Sequence, residues 1–338
     1  MLPVVVSVAF CLTFTFSSHA QGPEPVRIIY DTDIGNDVDD PLALGVLHAL
    51  QSRSECEILA VTITKDNQYA APITDLINTF YGRPNIPIGM VRDGATKDEG
   101  KYNKQVVMLK DKNQNPAFPC NITTTTKLPE AVSLLRKTLA AEKDGSVVVV
   151  QVGFSTNFAR LLETGSDDIS PLTGKELVEK KVKFLSIMAG VFKSGYTHVE
   201  YNIACDVPAA KKLIAEWPTP IVFSGYEIGD MIKYPSVSMR EDYNYVEMHP
   251  LKESYRYYRD GLESDQALFD LTSALYAVRP ERGYFDLSES GTVVLDEKGH
   301  TSFKPDPNGK HRYMKVSETQ IARVREALCM LCSEPPRK

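Results

Sequence analysis

Runs of basic residues are absent from this 338-residue chain, and so is any basic stripe interleaved with aromatics. With a net charge of −6 and a pI near 5.6, this excludes a broad nucleic-acid-binding surface. Cysteine is scarce: six in all, and an odd five once the N-terminal segment carrying Cys11 is set aside. That count does not suit a disulfide framework, and a chain of this size folds without one. Cys329-x-x-Cys332 has no second pair or nearby His to complete a zinc tetrahedron, so it reads as two partly buried thiols or a strained local disulfide. There is no internal repeat and no low-complexity tract. What remains, 43% hydrophobic and 24% charged, is an ordinary globular composition with room for a substantial core.

The apolar stretch 2–16 lacks a preceding Lys or Arg, but it is short for a membrane span and is followed by small residues at Ser18 and Ala20. It reads as a secretory signal, residues 1–20, cleaved after Ala20. The expectation is a protein exported to a periplasm or beyond, with no membrane attachment after cleavage. Residues 26–333 are expected to form one domain.

Short β-rich runs alternate with helical ones. Strands are expected at Val26–Asp31, Glu57–Thr64, Ile86–Val91, Ser146–Val152, Val182–Ala189 and Pro220–Ser224. Val147 to Val150 form a continuous apolar run, as in strands covered on both faces. Helices are expected at Pro41–Gln51, Ala71–Tyr81, Leu128–Glu142 and Val207–Glu216, with a hairpin over 291–304 and a terminal helix within Lys315–Cys332 opened by Ser317. The pattern predicts an α/β fold, a mostly parallel central sheet wrapped by helices on both faces. Ligands in such folds sit at the carboxyl ends of the strands. Segments 92–127 and 235–265 are long and irregular, and read as lids or insertions.

One segment concentrates charge. Asp31-Thr-Asp33-Ile-Gly35-Asn-Asp37-Val-Asp39-Asp40 holds five carboxylates and no basic residue, between a strand and a helix. Repulsion within so short a turn is most simply offset by a hard cation held through oxygen. Asp40-Pro41 also reads as a helix N-cap followed by proline at the first helical position. An EF-hand does not fit, because the loop follows a strand and its twelfth position is Leu42.

The turn resembles the N-terminal signature of the inosine-uridine-preferring nucleoside hydrolases, a strand ending in Asp-x-Asp-x-Gly followed by an Asp pair and a helix. Asn67, Val152-Gly153-Phe-Ser-Thr-Asn157, Glu200-Tyr-Asn202 with Asp206, and Phe269-Asp270 are similar to that family's later segments, in the same order. The resemblance implies cleavage of ribonucleosides to ribose and free base. It implies Ca²⁺ held by Asp33, Asp40, Asp270 and the Val152 carbonyl, with Asp33 as the general base. Asp39, Asn67, Glu200 and Asn202 would grip the ribose, and Phe269 would face the base. A homodimer or homotetramer is implied as well. Asp31 reads as a support for the turn, and Asp206 as a helix cap.

The chain departs from the family at Phe269, where many members carry a His that protonates the leaving base. The segment Ser254–Arg259, rich in Tyr and Arg, is a candidate source of other donors. Asp37 lies in a spacing longer than usual and has no role in the resemblance. His198, close to Glu200, reads as a surface residue. Two alternatives remain open. One is a Mg²⁺-dependent phosphatase of the haloacid-dehalogenase type with Asp31 as nucleophile, although Gly35 stands where it needs Thr or Val. The other is an exported Ca²⁺-dependent nucleoside- or sugar-binding protein without catalysis.

Overall fold

The strands of the computed structural model, which describes residues 24–337, are β1 (Val26–Thr32), β2 (Cys56–Ile63), β3 (Ile88–Met90), β4 (Val147–Gln151), β5 (Val182–Met188), β6 (Ile221–Ser224), β7 (Lys233–Tyr234), β8 (Gln266–Ala267), β9 (Asp286–Leu287), β10 (Gly291–Leu295), β11 (Thr301–Pro305) and β12 (His311–Lys315). All but β7 and β8 share one sheet, in the order β11-β10-β12-β6-β5-β4-β1-β2-β3, with β9 beside β12. From β3 through β6 to β12 the pairing is parallel, and the antiparallel pairs of this sheet are β9 with β12, β10 with β12 and β10 with β11. The order 3-2-1-4-5-6 reverses direction between β1 and β4, and the crevice at such a reversal is where doubly wound folds take ligands.

Alternate residues of β1 and β4 feed two apolar cores, which is why these strands read as continuous apolar runs. Ile28, Tyr30, Val148 and Val150 face the core shared with the helices Asp39–Ser52, Asp270–Val278 and Glu318–Cys332. Ile29, Val147 and Val149 face the other, shared with Ala131–Ala141, Thr156–Glu163 and Val207–Glu216. Each such side chain, fully buried, stabilises the fold by about 1.5–3 kcal/mol relative to exposure.

Several element ends differ from the sequence reading. The helix expected from Leu128 begins at Ala131, after Pro129, and Glu130 caps it by accepting from the Ser133 N–H. The terminal helix begins at Glu318 behind a Ser317–Gln320 capping box, because Lys315 belongs to β12. The helix expected to be capped by Asp40 starts at Asp39, with Val38 at the cap position and no side-chain cap bond. Cys329 and Cys332 are free thiols, with Cys332 buried. Among the described residues no helix is long and apolar enough to cross a membrane. The expected signal segment lies outside the described residues.

Candidate active site

Four neighbouring strands end at one cavity of about 470 Å³. Asp33 follows β1, Val152 follows β4, Met188 ends β5 and Tyr226 comes just after β6, so the cavity opens at the β1/β4 reversal. The backbones there approach closely. A Cβ on Gly153 would lie 2.6 Å from the Asp33 nitrogen and 2.5 Å from the Thr64 hydroxyl, so only glycine fits beside the acidic turn.

The turn divides its five carboxylates. Asp31 lies fully buried outside the cavity lining, accepting from the Thr62 hydroxyl and the Asn157 amide (2.8 Å). Burial pushes its carboxyl up to about 8. A phosphatase nucleophile at Asp31 is therefore ruled out: substrate cannot reach it. Asp33 is 3% exposed and accepts from the Asn36 side chain, and burial pushes it up to about 6. Asn36 in turn accepts from the ammonium of fully buried Lys65. Asp37 accepts from the Val38 N–H (2.6 Å) and the Gln266 side chain (2.8 Å). Asp39 reaches across to the helix Asp270–Val278, and Asp40 accepts from the Thr32 hydroxyl.

Asp39, Asp40 and Asp270 are buried and each offers an oxygen within 4.8 Å of the others. Burial, and then the neighbouring carboxylates, hold all three well above the usual carboxylate range. Such a set of hard oxygen donors, repelling one another away from water, fits a metal ion. Asp39, expected on the ribose, thus lies beside the expected metal ligands Asp40 and Asp270. Asp33, the other expected carboxylate ligand, lines the same cavity with one oxygen on Asn36.

The other expected residues are placed as follows. The Val152 carbonyl lines the cavity and accepts from the Asn202 amide (2.7 Å). Glu200 caps the short helix Tyr201–Cys205, accepting from the N–H groups of Asn202 (2.7 Å) and Ile203 (3.1 Å). Burial pushes Glu200 up to about 7. Asn202 and Phe269 also line the cavity, and Phe269 stacks on Tyr226 with ring centroids 5.0 Å apart. Asn67 does not reach it. Its oxygen accepts from the Tyr69 N–H (2.9 Å), and it lines a separate depression with Arg92 and Thr123. It is the local turn that claims this side chain. Asp206 caps the helix Val207–Glu216. His198 is exposed, edge-on to Tyr226.

Of the Ser254–Arg259 segment only Tyr258 lines the cavity. Tyr255 is buried with its hydroxyl on the Ser264 carbonyl, and Arg256 and Arg259 are exposed. Sequence reasoning missed Lys65, Lys101 and Tyr226. For Lys65 a signal existed: a lysine just past an apolar strand, on the edge where ligands bind. Tyr226 likewise follows the expected strand Pro220–Ser224, whereas Lys101 had no such signal.

A doubly wound sheet with a carboxylate-lined crevice at its reversal defines a class of α/β enzyme. Over residues 28–324 the sequence matches the family described as inosine-uridine preferring nucleoside hydrolase, and the chain belongs to that family. It is thus an enzyme of the kind that hydrolyses the N-glycosidic bond of nucleosides. No curated protein sequence matches it significantly. Solved structures do. A plant nucleoside hydrolase is 20% identical with a TM-score of 0.68, covering 92% of this chain and 100% of its own. The purine-preferring ribonucleoside hydrolase of Gardnerella vaginalis is 16% identical with a TM-score of 0.69, covering 91% and 98%. The inosine-uridine preferring enzyme of Bacillus anthracis is 17% identical with a TM-score of 0.67, covering 91% and 99%. At these identities the likeness is one of fold.

Proposed function

We propose that the chain is an exported, single-domain, Ca²⁺-dependent ribohydrolase that splits ribonucleosides into ribose and free base, working as a homodimer or homotetramer. The observation that carries the site assignment is the convergence of Asp39, Asp40 and Asp270 beside Asp33. Asp33, Asp40 and Asp270, with the Val152 carbonyl, would hold the ion, and Asp39 stands within the same cluster. When bound, Ca²⁺ supplies positive charge that orients a water molecule and makes it more acidic.

Asp33 would accept the proton of the attacking water. In the metal-free fold burial raises its carboxyl to about 6, which makes it a stronger base than an ordinary carboxylate. Asn36 fixes its orientation through their hydrogen bond, and the Lys65 ammonium fixes Asn36. Glu200 and Asn202, immobilised by their bonds to backbone, present the remaining oxygens to the ribose hydroxyls. The positive charge that develops on the sugar as the bond breaks is met by this wall of carboxylates. Phe269, backed by Tyr226, offers a stacking face to the base.

Release of free ribose from a panel of nucleosides, with and without EDTA, tests this reading. Ribose is expected only without chelator. Asp33→Asn should lower turnover at least about 10²-fold while circular dichroism is unchanged. Ribose release that persists in EDTA, or an active Asp33→Asn variant, would remove the metal or the base from the mechanism.

A further inference from the structure

The cavity has no histidine beside its last carboxylate, yet one cation reaches it. Lys101 is the only basic side chain among the residues that line it. Its ammonium sits over the Tyr258 ring, 4.8 Å from the centroid. The neighbouring lysines are engaged elsewhere, Lys97 with Asp66 and Lys104 with Glu99. Lys101 forms no ion pair among the described residues, although carboxylates line the same cavity.

The backbone beneath this ammonium is tied to the acidic turn. The Lys101 N–H donates to the Gly35 carbonyl (3.3 Å). On one side Gly100 has φ +75° and passes so close that a Cβ would lie 2.0 Å from the Gly35 oxygen. On the other, the Tyr102 hydroxyl accepts from the Gly35 N–H (2.9 Å) and donates to the Asp37 carbonyl (2.7 Å). Asn103 adds a bond to the Ile34 carbonyl (2.9 Å). Residues 100–103, from the irregular stretch after β3, therefore clamp the turn that carries Asp33 and present the exposed Lys101 cation at the rim of the cavity.

We propose that Lys101 is the leaving-group residue: its ammonium meets the departing base, offsets the negative charge that base acquires and supplies its proton. The proposal rests on the ribohydrolase reading of the site. Rupture of the C1′–N bond leaves its electron pair on the base nitrogen, while the water oxygen bonds to C1′. One water proton passes to Asp33 and the base takes a proton from Lys101. Return of the Asp33 proton through solvent restores Lys101, so the net change is one water added across the bond. Tyr258 seats the lysine chain by cation–π attraction and is a positioning residue.

The test compares inosine with p-nitrophenyl β-D-ribofuranoside, on the full chain with added Ca²⁺. p-Nitrophenolate departs as a stable anion and needs no proton. In Lys101→Gln, kcat/KM on inosine is expected to fall about 10²-fold or more, and at least about tenfold further than on the nitrophenyl riboside. Lys101→Arg, which keeps the charge, should recover part of the inosine rate. Equal losses on both substrates, or a loss below about threefold on inosine, would overturn the proposal. A wild-type protein that cleaves the nitrophenyl riboside separates that failure from failure of the ribohydrolase reading; one that cleaves neither substrate overturns both.

Discussion

The Asp39 carboxylate caps the helix that presents Asp270: its Oδ2 accepts from the N–H groups of Phe269 (3.0 Å) and Asp270 (2.9 Å). One acidic residue at the start of the first helix thus fixes the start of another, 231 positions away. A helix N-terminus favours negative charge, so the contact both orients Asp270 and holds Asp39 in place.

Asp39→Asn should separate these two tasks. The variant keeps an acceptor oxygen for the two N–H groups and removes one charge from a cluster in which burial and Asp37 already oppose ionisation. The metal-free variant is expected to melt at or above the wild-type temperature. Calcium affinity, measured by titration calorimetry, should fall at least about tenfold. Undiminished affinity would remove Asp39 from the metal site.

Chelation should cost more stability at pH 8 than at pH 5.5. Burial raises Asp33 to about 6 and Glu200 to about 7 in the metal-free fold. A raised carboxyl contributes stability that is full below its unfolded value and is lost as pH rises through the folded one. For these groups the loss falls between about pH 4 and 7, and calcium then binds carboxylates that no longer hold protons. The drop in melting temperature on adding EDTA, measured at both pH values, is the check; a larger drop at pH 5.5 contradicts it.

His48 should give the opposite slope. Its ring stacks on Tyr81 (4.7 Å) and faces the Asn78 oxygen (2.8 Å), and burial, then Arg83, holds it down to about 3. Its stabilising contribution is present above about pH 6.5 and is lost as pH falls toward 3, by at most about 1.4 kcal/mol per unit. The stability gap between wild type and His48→Gln, from urea midpoints in excess calcium, is therefore expected to narrow from pH 7.5 to pH 5. A constant gap would show that His48 titrates alike in both states.

Phe269→His places a donor next to Asp270 in the cavity. Turnover on purine nucleosides should rise, and in the Lys101→Gln background inosine hydrolysis should recover about tenfold or more. No change on any base would mean that position 269 does not face the leaving group.

The parts of the fold that sequence exposed are those with local periodicity. The continuous apolar runs of β1 and β4 and the exact capping of Val207–Glu216 by Asp206 each follow from neighbours along the chain. β12 escaped, although it lies between β6 and β10, because His311-Arg-Tyr-Met-Lys315 shows neither strict alternation nor a β-branched run. Glu200 and Asn202 line the cavity from the start of a short helix, a local structure that three residues of sequence do not announce.

From sequence alone came the acidic turn, the parallel α/β sheet and the expectation of a cation held by oxygen. Like charges packed into ten residues and apolar runs of strand length are local facts with local physical consequences. Tertiary structure decided which carboxylates meet. It sealed Asp31 beneath the site, joined Asp39 to Asp40 and Asp270, kept Asn67 in its own turn and brought Lys101 to the cavity. Those outcomes depend on the strand order at the β1/β4 reversal and on residues 100–103 packing against Gly35. Contacts between distant segments leave no period in the chain, so only the folded geometry could bring these groups together.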